Sequence, residues 1–200
     1  MSVSLDHVLG VAAFCLAGSM SPGPNNFMLL ASGVNFGFAR TLPHLIGVVA
    51  GYLFLLLVIG FGLGNLFAAY PAAHTALKVV GGLYLLWLAW KIATASTGGG
   101  KAEAARPFTF LQAAAFQWVN PKGVLLGVSA VAAFTRPQAF AATFAVLVAV
   151  STAANLLSAT TWALFGSALS RWLAQPHILR PFNIGMALLL AASLWPMLAG

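Results

Sequence analysis

Ser19-Met20-Ser21-Pro22-Gly23-Pro24-Asn25-Asn26 stands in the middle of an apolar run that extends from Val8 to about Phe36. A helix of that length would cross a bilayer, since each residue adds about 1.5 Å of rise. Pro22 and Pro24 lack amide hydrogens, so the carbonyls of Gly18 and Met20 lose their helical partners. In hydrocarbon an unpaired backbone group is expensive, and a broken helix persists only against protein or a water-filled cavity. The stretch is therefore either a kink buried by neighbours or part of a binding site.

The composition around it fixes the environment. Of 200 residues, 61% are hydrophobic and only 6% charged, and the mean hydropathy is +0.96. An ordinary soluble domain has neither feature, and the expectation is an all-α polytopic membrane protein. A formal charge of +7 would point to nucleic acid in a soluble protein; here nine Lys/Arg against two acids report membrane orientation instead, and no nucleic-acid partner is expected. The single cysteine, Cys15, excludes an internal disulfide and a cysteine-based metal cluster. Asp6 and His7 precede the first apolar run where a secretory signal would carry basic residues, so that run is not expected to be a signal peptide.

Six apolar segments follow one another, at about 8–36, 44–68, 72–94, 108–134, 138–169 and 180–198. Each approaches or exceeds the ~20 residues that span a bilayer, and none shows the alternation of two that strands require. The polar stretch 95–107, with Gly98-Gly99-Gly100, separates two halves of three segments, about 5–94 and 108–200, within one membrane domain covering 1–200. Trp118-Val119-Asn120-Pro121-Lys122-Gly123 interrupts the fourth segment much as Ser21–Asn26 interrupts the first. Paired interruptions at corresponding places in two halves are the best pointer to a transporter's site. Three spans per half place the second half in the opposite sense, as an inverted repeat with helices 1 and 4 broken mid-membrane. Arg40, Lys91, Lys101, Arg106, Arg171 and Arg180 collect on one side, against Lys78 and Arg136 on the other. The basic side is then cytoplasmic and both termini lie outside.

Small residues four apart, at Gly33/Gly37, Gly47/Gly51, Gly60/Gly64 and Gly123/Gly127, read as helix-packing positions. Trp87, Trp90, Trp172 and Trp195 fit interfacial belts. Chemistry concentrates at the two breaks. Ser21-Pro22 and Asn120-Pro121 each place a capping residue before a proline, the order that restarts a helix. The restarted helices would offer free amides at Asn25, Asn26, Lys122 and Gly123, favouring a carboxylate. Free carbonyls of Gly18, Met20 and Gln117 would favour an ammonium, and together they suit a zwitterion. Lys122 is the one strongly ionisable residue near the centre of a span, and a cation at a helix N-terminus is doubly unfavourable. A substrate carboxylate, the carbonyls freed in the other half, or loss of its proton must compensate. Ser151, Asn155, Ser158 and Trp162 share one helix face in the fifth segment, lining a pathway or joining helices. The candidate binding residues are thus Ser21, Pro22, Gly23, Pro24, Asn25, Asn26, Asn120, Pro121, Lys122 and Asn155. His7, His44, His74 and His177 sit near segment ends and read as interfacial side chains. No metal site and no cofactor are expected.

These motifs resemble the LysE/RhtB family of bacterial amino-acid exporters. The resemblance rests on Ser21-Pro22-Gly23-Pro24-Asn25, on Gly47 and Gly51, on Gly81-Gly82-Leu83-Tyr84-Leu85 with Trp87, and on Asn120-Pro121-Lys122. It implies a secondary active exporter of amino acids or related zwitterionic metabolites in the bacterial cytoplasmic membrane. It also implies coupling to an ion gradient, with H+ as the expected ion, and a homodimer. The family's phenylalanine-rich run after Asn-Pro-Lys is absent; Gly123-Val124-Leu125-Leu126-Gly127 stands there. A metal-ion exporter is the main competing reading, yet hard cations need carboxylate oxygens that no span provides. A passive channel would use the broken helices as a filter. An enzyme is disfavoured, because no Asp pair or Ser/His couple falls within a span.

Overall fold

The computed structural model describes residues 3–63, 106–173 and 175–192, with single helical positions between 79 and 94. The described chain is all-helical, with six helices. These are α1 (Leu5–Met20), α2 (Pro24–Val58, running on into a π-helical turn at Ile59–Leu63), α3 (Phe110–Phe116), α4 (Pro121–Phe134), α5 (Phe140–Leu169) and α6 (Pro176–Ala192). The runs Pro24–Gly62 and Pro137–Leu169 are long and apolar enough to cross a membrane, and α1, α4 and α6 are shorter apolar helices. The third segment and the linker fall mostly outside the described residues.

α1 begins at Ser4, whose hydroxyl accepts from the amide of His7, and Asp6 lies in the first turn. Both features favour a helix start, the first by satisfying an orphan amide and the second by facing the positive dipole end. α3 opens with a capping box, in which Thr109 accepts from the Gln112 amide while Gln112 accepts from the Thr109 amide.

α2 is not one straight rod. Gly37 has φ 77° and ψ 166°, and the hydroxyls of Ser32 and Thr41 meet at 2.9 Å. A straight helix would hold residues nine apart at about 13.5 Å, so the chain turns back at Gly37. The expected first segment, about 8–36, therefore corresponds to α1 and the first arm of α2, and the second arm opens the expected second segment. Gly37 itself is a turn position instead of the packing position expected of it, because a positive φ suits glycine best.

Gly33, Gly47, Gly51, Gly60 and Gly127 do sit at packing positions, Gly123 meets only its own cap residue Asn120, and Gly64 lies outside the described residues. A Cβ at Gly33 would overlap the Ala163 carbonyl of α5, and one at Gly166 would overlap the Leu30 carbonyl of α2. Gly47 and Gly51 admit the backbone of α3 in the same way, at Phe110 and Ala114. These close approaches seat α2 against α5 and α3, its principal partners, while α1 also rests on α5. Leu29, Leu45, Val48, Ala113, Ala159 and Ala163 form the buried cluster where α2, α3 and α5 meet. Val11, Cys15, Ala130, Phe144, Leu147 and Ala154 form a second, between α1, α4 and α5.

Two sequence expectations shift. The last helix begins at Pro176, ahead of the expected 180, with Arg180 exposed on its surface and Pro181 inside it. His44, expected near an interface, is fully buried against Phe108, with ring centroids 5.1 Å apart. Its segment was read as starting at 44, whereas helix α2 already surrounds it on both sides. Trp87, Trp90 and Trp172 are exposed, while Trp195 and His74 lie outside the described residues.

Candidate functional site

Both interruptions of the apolar run face one small cavity. α1 ends at Met20 and α2 begins at Pro24; α3 ends at Phe116 and α4 begins at Pro121. Pro24 and Pro121 each occupy the first turn of their helix, where a missing amide hydrogen does no harm. The first intrahelical bonds run from Phe27 to the Gly23 carbonyl (2.9 Å) and from Val124 to the Asn120 carbonyl (3.0 Å). The amides of Asn25, Asn26, Lys122 and Gly123 therefore precede the ladder, as the sequence implied.

The capping arrangement differs from expectation at the first break. Ser21 closes α1 instead of opening α2: its amide bonds the Ala17 carbonyl at 3.2 Å and its hydroxyl bonds the Gly18 carbonyl at 2.9 Å. Gly23, in extended conformation, takes the cap position of α2 and offers no side-chain bond. Asn120 does occupy the cap of α4, but its side chain makes no capping bond.

The carbonyls at the end of α1 are not left for a ligand. Asn26 Nδ2 donates to the carbonyls of Ser19 and Ser21, both at 2.8 Å. Ser158 Oγ, from α5, donates to the Ser19 carbonyl at 2.7 Å. Lys122 Nζ, from α4, donates to the carbonyl of Ser21 and to that of Pro22 at 3.2 Å. Of the three ways in which Lys122 might be compensated, the structure uses the carbonyls of the other break. The side chain leaves the positive N-terminal end of α4 and lays its nitrogen at the negative C-terminal end of α1, which reverses an unfavourable dipole interaction. Gly23 leaves room for this path, since a Cβ there would stand 2.7 Å from Lys122 Cδ.

A second fastening joins the same two breaks. Asn25 Nδ2 donates to Gln117 Oε1 at 2.7 Å, and Gln117 Nε2 returns a bond to Asn25 Oδ1 at 3.1 Å and another to the Ala113 carbonyl at 2.9 Å. Gln117 is fully buried. The sequence reading used only its carbonyl; its position as the last polar residue before the Trp118–Gly123 interruption was the available signal.

What the cavity does present is unpartnered oxygen. Asn120 Oδ1 and Asn155 Oδ1 are both buried without a hydrogen-bond partner, and both residues line the cavity with Lys122. Buried carbonyl oxygens of this kind are normally bonded, so they mark a place for a donor. Tyr52 and Val48 of α2 and Leu126 of α4 supply the apolar wall. The cavity measures about 40 Å³. A water needs about 10–15 Å³ on this measure, so there is room for a few waters and not for an amino acid.

Among the expected site residues, Gly23, Asn25, Asn26, Asn120, Lys122 and Asn155 line the cavity. Ser21 and Pro22 are bonded to Lys122 beside it, and Pro24 and Pro121 start the two helices. The stripe on α5 divides by position. Ser151 contacts Cys15 Sγ at 3.1 Å, Ser158 and Asn155 face the cavity, and Trp162 packs edge-on against Phe27. Among the described residues no group of histidine, cysteine and carboxylate side chains is placed to hold a metal.

The chain is a member of the LysE type translocator family, whose profile matches residues 16–192. It is 36% identical over 178 residues to the cysteine/O-acetylserine efflux proteins of Escherichia coli (strain K12) and Shigella flexneri serotype 5b (strain 8401). Each alignment covers 88% of this chain and 90% of the relative. No solved structure matches it significantly.

Proposed function

We propose that this protein exports small zwitterionic metabolites, amino acids foremost, across the bacterial cytoplasmic membrane, binding them between the two helix interruptions. The observation that carries the reading is the convergence of Asn120, Lys122 and Asn155 on one cavity, with two oxygens lacking donors. An α-ammonium would satisfy Asn120 Oδ1 and Asn155 Oδ1. An α-carboxylate would meet Lys122 and the leading amides of α4. The efflux proteins to which the chain is similar are named for cysteine and O-acetylserine, compounds of this kind with short side chains.

Within this reading the two interruptions lie at mid-membrane depth, in two halves of opposite sense. The matching first-turn prolines of α2 and α4 support the correspondence. The transporter is a secondary carrier driven by an ion gradient, with H+ as the proposed coupling ion, both termini outside, and a dimer as the assembled form. It carries its substrate without chemical change. The contents of the cavity are too small for the substrate, so export proceeds by opening the site to one face and then to the other.

The test is to express the protein in cells loaded with dipeptides and to profile the amino acids released. Short-side-chain amino acids such as cysteine and serine leave faster than from control cells. Equal release of every standard amino acid from the two cell lines would refute the proposal.

A further inference from the structure

We infer that Lys122 is a latch that fastens α4 to the end of α1 across the site and is released by the substrate's carboxylate; this rests on the binding reading above. Lys122 Nζ reaches across from α4 to the carbonyls of Ser21 and Pro22, residues 101 and 100 positions away in sequence. Ser21 caps the C-terminus of α1 and Pro22 follows it, and Nζ is the one cationic donor bound to their carbonyls among the described residues. The same side chain lines the cavity, so an anion entering the cavity competes directly with the carbonyls for it.

The competition is one-sided in chemistry. A carboxylate bears a full negative charge and forms charge-assisted bonds roughly twice as strong as neutral ones, whereas peptide carbonyls bear only partial charge. A bound amino acid therefore draws Nζ off Ser21 and Pro22 and leaves the end of α1 held by Asn26 and Ser158 alone. An amine without a carboxylate fills the Asn120 and Asn155 oxygens yet leaves the latch closed. The site consequently distinguishes an amino acid from its decarboxylated amine through what each does to Lys122. A ligand shifts a conformational equilibrium only by its differential affinity for the two states, and the carboxylate–Lys122 bond supplies that difference.

The experiment uses the full chain in proteoliposomes and in detergent. For transport, wild type exports serine at least tenfold faster than ethanolamine; Lys122→Met narrows that ratio to within about threefold, and Lys122→Arg keeps it. For the latch itself, amide hydrogen exchange is followed over Gly18–Asn26 in the wild type. Serine accelerates exchange there and ethanolamine does not. The inference is overturned if Lys122→Met, folded by size exclusion, keeps the wild-type ratio, or if serine slows exchange over Gly18–Asn26. Failure of wild type to export any amino acid would instead count against the function itself.

Discussion

At the scale of single residues, the site is built from amides, hydroxyls and one lysine. Asn155 and Asn120 each bury an oxygen with no donor. A hydrogen bond to a charged group is worth about 1.5–3 kcal/mol, and 1.4 kcal/mol is a factor of ten. Asn155→Leu is therefore expected to raise the KM for the exported amino acid about tenfold or more, while the detergent melting temperature holds or rises, because a costly unpaired oxygen is removed. Gly23 offers a second probe, since a Cβ there meets the Lys122 side chain. Gly23→Ala places a methyl against the Lys122 stem and should displace Nζ from Ser21 and Pro22. Accelerated amide exchange over Gly18–Asn26 without any substrate is the expected readout, and unchanged exchange would show that the stem simply bends away.

At the scale of elements, the molecule depends on how helices end. Gln117 and Asn25 form a reciprocal amide pair that ties the end of α3 to the start of α2. Gln117→Leu leaves the Asn25 amide buried without its partner, a loss of about 1–3 kcal/mol. A lowered midpoint in thermal unfolding checks it. Gly37 carries the positive φ at which α2 turns back, so Gly37→Val forces a β-branched residue into a strained region at about 1–3 kcal/mol. Here too the expected outcome is reduced stability and expression. Much of this level was legible in the sequence. Proline without an amide hydrogen has few places in an apolar run, so Asn120-Pro121 announces its helix start correctly, whereas the first restart, expected at Pro22, falls two residues later at Pro24. The cap at the first break was misread because Ser21-Pro22 and Gly23-Pro24 both fit the cap–proline order, and only backbone geometry decides between them. Of the carbonyls expected to hold a cation, that of Gly18 accepts from Ser21, while the neighbouring carbonyls of Ser19, Ser21 and Pro22 are bonded by Asn26, Ser158 and Lys122, which lie on other helices. No local pattern reports such partners. The same limit hid the Asn25–Gln117 pair, whose members are 92 residues apart.

At the scale of the whole molecule, the proposed orientation puts Arg40, Arg106, Arg171 and Arg180 toward the cytoplasm. A reporter fused after Gly200 should be active only outside the cytoplasm, and cytoplasmic activity would invert the topology. The chain has just two acidic residues, Asp6 and Glu103, and among the described residues Lys122 is the one charged residue that lines the cavity. At the mid-membrane depth proposed for it, a lone lysine is also an electrical object. Whenever opening and closing carries it along the membrane normal, the transmembrane voltage does work on it, about 2.3 kcal/mol per elementary charge for each 100 mV crossed. Turnover of a substrate that is itself electrically neutral should then respond to an imposed potassium diffusion potential through the coupled proton and through Lys122, and Lys122→Met should respond less steeply than wild type. The lysine that fastens α4 to the end of α1 would in that case also be part of the protein's voltmeter.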